Sequence, residues 1–249
     1  MQVASLTNCG LVRSRNEDSC FVKADTDMAL LVVADGMGGH QAGNVASSLA
    51  ISAAEKLWNK LDYSVSPSAE EARKIVNHLV VDANKAIFAE ANNSSSRRGM
   101  GTTLTAGLLC GNSLTIGHVG DSRAYLIKDD RIELLTKDHS LLEQLIESGQ
   151  VRPEEAQNHP QRHIVTRALG LSEDLEVDIF EEDVDDQASL LFCTDGLTSL
   201  VYDHEILDLS KRIADPQVLA KALIDLANER GGYDNITVVI AAGIGRQRL

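Results

Sequence analysis

The residues best placed to do chemistry in this sequence are carboxylates at the edges of apolar segments, most of them beside Gly or Asn. Two of these segments, 30–34 and 190–193, are apolar enough to predict buried strands. Carboxylates that converge from several strand ends repel one another unless multivalent cations lie between them. The pattern therefore predicts a polynuclear metal centre built from five motifs: Asn16-Glu17-Asp18, Asp35-Gly36-Met37-Gly38-Gly39, Gly120-Asp121-Ser122, Thr194-Asp195-Gly196 and Asp234-Asn235.

Composition narrows the range of partners. The 249 residues carry a formal charge of −14, which argues against nucleic acid, because binding a phosphate backbone needs a basic surface. Bound cations would cancel part of this charge, although a solvated acidic surface that keeps the protein soluble accounts for most of it. A chain of this length can bury roughly three quarters of its unfolded surface, which favours one large domain.

Targeting signals and cysteine usage bear on the compartment. Residues 1–7 contain no basic stretch followed by an apolar one, and no segment approaches the ~20 apolar residues of a membrane span. The four cysteines form no C-x-x-C pair, so buried reduced thiols are expected. These features predict a cytoplasmic protein with no membrane partner, and nothing requires more than a monomer.

The spacing of apolar residues predicts an α+β protein. Helices are expected over 41–60, from 66 to about 91 and around 217–229. Short turns between strands imply antiparallel meanders, because a parallel crossover needs a dozen or more residues. Residues 136–175 break the pattern and predict short helices and loops. Two packed antiparallel sheets with helices outside each would bury the apolar faces. The predicted strands are 3–7, 20–23, 28–34, 102–109, 114–119, 124–128, 131–135, 177–180, 188–193 and 235–242.

Two motifs have both a chemical and a purely structural explanation. Segment 35–40 is rich in glycine but lacks the Gly-Lys-Ser/Thr ending of a phosphate loop and is not G-x-G-x-x-G. Its glycines could let a ligand approach the backbone, or they could simply form a tight strand-to-helix turn. Arg13 precedes Glu17 and Asp18, and a guanidinium can bind a phosphate monoester in a bidentate manner. A polar loop with surface charges is the alternative there.

Taken as a set, the motifs resemble those of the metal-dependent serine/threonine protein phosphatases, the PPM or type-2C family. The resemblance extends from Thr7 to Val239 with the motifs in family order, and it is strongest for compact bacterial members. It implies the family's four-layer αββα sandwich, which agrees with the predicted elements. It also implies that residues 1–249 form a single phosphatase catalytic domain, with a flap subdomain at about 136–175.

The resemblance implies a dinuclear manganese or magnesium centre. Asp35 would bridge the two ions, together with the backbone carbonyl of Gly36. Asp195 and Asp234 would complete the shell of one ion, and Glu17 would serve the other directly or through water. Hard cations suit carboxylate, carbonyl and water ligands, whereas zinc would prefer cysteine and histidine.

The resemblance also implies three supporting roles and a reaction. Asp18 would orient metal-bound waters from the outer shell, Asp121 would support a third, weaker ion with Asp195, and Arg13 would hold the substrate phosphate. A water or hydroxide shared by two metals would attack phosphorus in line, without a phosphoenzyme intermediate. The substrates would be phosphoserine and phosphothreonine monoesters in signalling proteins.

The general acid and the flap leave choices open. A leaving alkoxide needs a proton, and animal-type relatives carry His directly after Asp-Gly, where this chain has Met37. His40 is the nearest candidate, and a metal-bound water is the alternative. Cationic flap residues could meet an acidic or phosphorylated substrate, or could satisfy the loop's own carbonyl and carboxylate groups. These flap residues are Arg162, His163 and Arg167.

Two other classes of function remain as alternatives. The first is a catalytically silent regulatory or binding module on the same fold. Such a module would be expected to lose at least one ligand carboxylate, and all of them are present. The second is a calcium-binding protein, but the chain lacks the regular D-x-D-x-D-G loop with a distal Glu.

Overall fold

The structure of the protein is a computed structural model that describes residues 1–38, 42–62, 65–93, 95–152, 155, 159–161 and 163–244. The strands among these residues are β1 Gln2–Asn8, β2 Asp18–Asp25, β3 Met28–Met37, β4 Gly101–Thr102, β5 Leu104–Cys110, β6 Ser113–Val119, β7 Arg123–Lys128, β8 Arg131–Leu134, β9 Asp178–Asp183, β10 Ser189–Cys193 and β11 Ile236–Ala242. The helices are α1 Gly43–Trp58, α2 Ala69–Asn93, α3 Leu141–Glu147, α4 Asp195–Thr198, α5 Asp203–Arg212 and α6 Pro216–Glu229.

The strands form two antiparallel sheets. One has the order β1-β11-β10-β7-β8, and the other has the order β2-β3-β5-β6-β9 with β4 paired to β3. Short turns join β2 to β3, β5 to β6 and β7 to β8, as the turn lengths predicted. The first and last strands pair from Gln2 opposite Ala242 to Asn8 opposite Ile236. Residues near the two ends of the chain therefore lie side by side.

Strand β3 shows why both sheets must be covered on both faces. Leu30 and Val32 belong to the apolar cluster that contains α1 and α2, whereas Leu31 and Val33 belong to the cluster between the two sheets. Successive strand residues point to opposite faces, so a strand buried on both sides is a continuous apolar run. A third cluster lies between α4, α5, α6 and the sheet that holds β10. This order of layers confirms the predicted αββα sandwich.

Helix starts follow local capping signals. Ser68 and Glu71 form a reciprocal cap just before and inside α2, with the Ser68 backbone N–H donating to the Glu71 carboxylate. Helix α6 begins after Asp215, whose carboxylate accepts from two backbone N–H groups of the first turn, and Pro216 occupies the first helical position. Such residues satisfy N–H groups that the helix itself leaves unpaired.

Differences from the sequence-based expectations are local. Helix α5 was not predicted, because its ten residues are mostly polar and Ile206 is the single fully buried residue among them. Segment 136–175 contains the short helix α3 and isolated bridges such as Ser140 with Val165, as expected for a region of short helices and loops. Cys110 and Cys193 are buried free thiols, whereas Cys9 and Cys20 are free but partly exposed.

We expect Gly107→Ala to destabilise the fold by opening the space between the sheets. A β-carbon at Gly107 in β5 would lie 2.4 Å from Cζ of Phe192 in β10. Overpacking of this kind typically costs about 1–3 kcal/mol. The unfolding free energy should fall by that amount, measured by urea denaturation with circular dichroism in the presence of chelator.

The contact itself is tested by Phe192→Leu, which removes the atoms that the new methyl group would meet. The double variant should recover part of the stability lost in Gly107→Ala. Strictly additive losses in the double variant would contradict the steric explanation.

Candidate metal centre

The acidic motifs meet at one end of the two sheets. Asp35 lies near the end of β3, and Asp18 opens β2 directly opposite it. Asp195 begins α4 after β10, and Asp234 lies just before β11. Asp121 lies in the turn between β6 and β7. The open cleft here has a volume of about 970 Å³, and its lining includes Arg13, Glu17, Asp35, Gly36, Asp121, Asp195 and Asp234.

Backbone hydrogen bonds hold Asp35 at the end of its strand. Its N–H donates to Oγ1 of Thr103 at 2.9 Å, and its carbonyl accepts from the Thr103 N–H at 2.9 Å and from Oγ1 of Thr102 at 2.8 Å. The next residue must be glycine, because a β-carbon on Gly36 would lie 2.2 Å from the carbonyl oxygen of Gly43. The pair Asp35-Gly36 is therefore rigid and closely packed beside the cleft.

Asp18 is buried beneath this surface with one oxygen satisfied and one not. Oδ2 accepts from the hydroxyl groups of Thr194 at 2.8 Å and Thr237 at 2.7 Å. Oδ1 is buried and has no hydrogen-bond partner. Burial raises the pKa of Asp18 to about 7. An unpaired buried carboxylate oxygen is costly, and a hydrated cation in the cleft would supply the donor that it lacks.

The electrostatics of the cleft favour a positively charged occupant. Burial, followed by repulsion from neighbouring carboxylates, raises the pKa of Asp35 well above its usual value. Burial and then repulsion from Asp234 also raise the pKa of Asp195, although a hydrogen bond between the Asp195 and Asp35 carboxyl groups opposes this. Burial, with Asp195 as the next contributor, raises the pKa of Asp121 to about 8. Cations would replace the protons that these groups otherwise hold.

The residues of the cleft suit an open site for a hydrated metal ion better than a closed site in which every ligand is a protein side chain. Among the described residues, no three Asp, Glu, His or Cys side chains form a ready-made coordination cluster. However, five carboxylates and a glycine backbone line the same cleft. Magnesium-like ions keep several waters and need only a few carboxylates, so an open site with oxygen donors suits them.

Arg13 is a cationic side chain that contacts one of these carboxylates directly. Its Nη2 lies 2.8 Å from Oδ2 of Asp234, and the two side chains are 56% and 39% exposed. The hydrogen bond to Asp234 is the main cause that raises the Arg13 pKa. An exposed ion pair is worth about 0–1 kcal/mol, so an incoming phosphate dianion can compete for this guanidinium.

Comparison with known proteins identifies the family. A family model of protein phosphatase 2C matches residues 12–228, which is well over half of the chain. This chain belongs to the protein phosphatase 2C family. It is 38% identical over 235 residues to the serine/threonine phosphatase stp of Listeria welshimeri, covering 94% of this chain and 92% of that protein. It is 39% identical over 241 residues to the serine/threonine protein phosphatase PstP of Mycobacterium tuberculosis, covering 97% of this chain but 45% of that longer protein.

Solved structures of the family have the same architecture. A bacterial serine phosphatase superposes with a TM-score of 0.91 and 34% identity, covering 100% of both chains. The catalytic domain of PstP, solved in complex with two manganese ions, superposes with a TM-score of 0.84 and 37% identity, covering 97% of both chains.

Asn235 organises the phosphatase 2C cleft through both its backbone and its side chain. Its backbone N–H donates to Oδ1 of Asp234 at 2.9 Å. Its side chain binds the loop between β1 and β2. Oδ1 accepts the Glu17 N–H at 2.8 Å, and Nδ2 donates to the carbonyls of Cys9 at 3.0 Å and Arg15 at 2.9 Å. One carboxamide thus holds the loop that carries both Arg13 and Glu17.

The flap residues divide between internal contacts and the cleft. Arg167 forms ion pairs with Asp178 at 2.6 Å and Glu176 at 3.3 Å, so it satisfies nearby carboxylates, whereas His163 lines the cleft. His139, which was not predicted as a site residue, binds both backbone groups of Gly120. Its ring Nδ1 accepts the Gly120 N–H at 3.0 Å, and its backbone N–H donates to the Gly120 carbonyl at 2.7 Å. This contact ties segment 136–175 to the turn that carries Asp121.

The structure therefore brings together the predicted carboxylates and Arg13. Two predicted residues, His40 and Arg162, lie outside the described residues. No role was predicted from the sequence for the positioning groups, namely Thr102, Thr103, His139, Thr194 and Thr237. Thr194 stands in a predicted motif, but the types of these residues do not show which backbone or carboxylate group each one contacts in the fold.

We expect Asn235→Ala to loosen the loop at residues 9–17. The substitution removes three hydrogen bonds to backbone groups. One such bond is worth about 1 kcal/mol, so protection of the Glu17 amide against hydrogen exchange should fall by roughly tenfold or more. Hydrogen exchange with chelator present measures this without relying on activity. Asn112→Ala is the matched control, since Asn112 donates only to an exposed carboxylate, that of Asp186. Equal exchange at Glu17 in both variants would contradict this positioning role.

The metal-free protein should lose stability as pH rises from about 4 to 8. The folded-state pKa values of Asp18 and Asp121, about 7 and about 8, exceed the unfolded value of about 3.9. The folded state then binds more protons than the unfolded state in this window, so its stability is greatest below pH 4 and is lost as pH rises through the folded pKa values.

Chemical denaturation in chelator across this pH range measures the effect. The wild type should lose at least about 1 kcal/mol more than Asp18→Asn, because that variant lacks one of the titrating groups. Saturating manganese should remove much of the loss, since a cation stabilises the ionised carboxylates. Parallel pH profiles for wild type and Asp18→Asn would refute this account of the buried carboxylates.

Proposed function

We propose that this protein is a metal-dependent protein serine/threonine phosphatase that hydrolyses phosphoserine and phosphothreonine monoesters. The observation that carries the proposal is the cluster of buried and partly buried carboxylates with raised pKa values in one cleft, beside the guanidinium of Arg13. Membership of the protein phosphatase 2C family supports it. Relatives that match nearly the whole chain and are named serine/threonine phosphatases also support it.

The proposed cofactors are two manganese or magnesium ions, with a third in a weaker site. The PstP catalytic domain solved with two manganese ions supports this choice. Asp35 would be shared between the two ions, and Asp121 with Asp195 would serve the third. The remaining ligands would be Glu17, the carbonyl of Gly36, Asp195 and Asp234.

The ions, when bound, would lower the pKa of the attacking water and offset negative charge on the phosphoryl oxygens. Arg13 would leave Asp234 and bind two non-bridging oxygens of the substrate phosphate, which orients phosphorus for in-line attack. Asp18 would stay beneath the site as a hydrogen-bond acceptor, held by Thr194 and Thr237. His40 or water would protonate the leaving alkoxide.

The natural substrates would be phosphorylated signalling proteins in the cytoplasm. No helix in the described part of the chain is both long enough and apolar enough to cross a bilayer. The charge of −14 weighs against a nucleic-acid partner. We further propose that residues 1–249 act as a monomeric single catalytic domain in which segment 136–175 forms the flap.

Phosphate release from a phosphothreonine peptide tests the proposal. Wild type should turn over with manganese or magnesium and stop in chelator. Asp195→Ala should lower kcat/KM by at least about 100-fold. Even mutating residues that only hydrogen-bond to metal ligands commonly lowers activity or metal affinity by about 10- to 100-fold. Asp208→Ala removes an exposed carboxylate on α5 and should retain wild-type activity.

Two results would overturn the assignment. Substantial metal-dependent turnover in Asp195→Ala would show that Asp195 is not an essential ligand of the metal centre. A folded, manganese-loaded wild type with no turnover would favour a regulatory module on the same fold.

A further inference from the structure

Beside the cleft lies a patch of unusually exposed apolar side chains. Leu11, Val12 and Tyr233 are 69%, 63% and 62% exposed, and they are three of the four most exposed large apolar side chains among the described residues. We call these three residues the apolar rim. Single exposed apolar residues need no explanation, but a group of them at a binding cleft points to recognition.

The apolar rim is held in place by the backbone. The N–H groups of Leu11 and Val12 donate to the carbonyl of Gly232 at 2.8 Å and 3.3 Å. A β-carbon on Gly232 would lie 3.1 Å from Cγ of Leu11, and one on Gly231 would lie 2.5 Å from Cζ of Tyr233. Both side chains therefore contact the same glycine turn. A pre-ordered surface loses little conformational entropy when it binds a ligand.

The apolar rim adjoins the residues that would receive the phosphate. Tyr233 and Arg13 both line the cleft, and Leu11 lies two residues before Arg13, so their Cα atoms are at most about 7 Å apart. An extended peptide advances about 3.3 Å per residue. When a phosphorylated residue is held at Arg13, the substrate residues one to three positions away from it along the peptide can therefore reach the apolar rim.

We propose that the apolar rim binds an apolar side chain within three positions of the phosphorylated residue, and so selects protein substrates with apolar flanks. This inference rests on the proposed phosphatase function. The rim residues carry no charge, and a protein of net charge −14 repels acidic flanks. Apolar contact with a flank therefore provides attraction that a small phosphate ester cannot obtain.

The test compares phosphothreonine peptides that differ only by Leu, Ser or Asp at each of the three positions on either side of the phosphoresidue. The variant Leu11→Ser/Tyr233→Ser removes most of the apolar surface but keeps the backbone donor of residue 11. Val65→Ser/Val218→Ser is the matched control, since these residues are 65% and 55% exposed and do not line the cleft. Thermal unfolding checks that each variant is folded.

Wild type should prefer a Leu-flanked peptide to its Ser counterpart by roughly five- to tenfold in kcat/KM, the size of a partly buried apolar contact. The preference should fall to less than about twofold in the rim variant and persist in the control. Hydrolysis of para-nitrophenyl phosphate reports the chemistry separately. No preference in wild type, or an undiminished preference in the rim variant, would overturn the proposal.

Binding separates this proposal from the proposed function. The same peptides carrying a non-hydrolysable phosphonate are titrated by fluorescence anisotropy with manganese present. An inactive wild type that still binds Leu-flanked peptides through the rim would overturn the phosphatase function and support the rim. If the rim variant changes only the mass measured by light scattering, the rim is a contact between copies of this chain and the proposal is wrong.

Discussion

The burial of several carboxylates at one end of the sandwich is the constraint on which the rest of the site depends. Desolvation disfavours the ionised form of four carboxyl groups and raises their pKa values, and repulsion between the groups raises these pKa values further. The four are Asp18, Asp35, Asp121 and Asp195. A sequence under selection for stability alone would replace them with apolar residues. Their presence therefore shows that the cleft is organised for a cationic occupant, at the expense of the stability of the metal-free fold.

The polar groups around these carboxylates orient them without neutralising them. Two threonine hydroxyls bind one oxygen of Asp18 and leave the other without a partner. Thr102 and Thr103 bind the backbone of Asp35 but not its carboxylate. Held in this way, the side chains keep their binding capacity for ions, and little rearrangement is needed when an ion arrives.

The sandwich gathers these groups because of its topology. β1 and β11 pair along their full lengths, which places the loop after β1 beside the turn before β11. Asn235 then bridges to a loop that precedes it by more than 200 residues, at Cys9, Arg15 and Glu17. The same pairing places Leu11 against Gly232. The proposed phosphate site, the proposed metal site and the apolar rim therefore depend on one pairing of the first and last strands.

The sequence by itself determined the fold class, the carboxylates and Arg13. Acidic residues at the edges of apolar runs are local patterns, and five such motifs in family order are specific enough to indicate the family and its αββα layers. Segment 136–175 was also recognisable, because its polar composition excludes regular strands.

Only the tertiary structure decided which uncharged residues hold the site together. Asn235 and His139 act on backbone groups of residues 9–17 and of Gly120, and such contacts depend on strand pairing and loop path. Helix α5 was not predicted because it is short and mostly polar, with Ile206 as its single fully buried residue. The exposure of Leu11, Val12 and Tyr233 could not be inferred either, since an apolar residue in a sequence is expected to be buried until the fold shows that it lies on the surface.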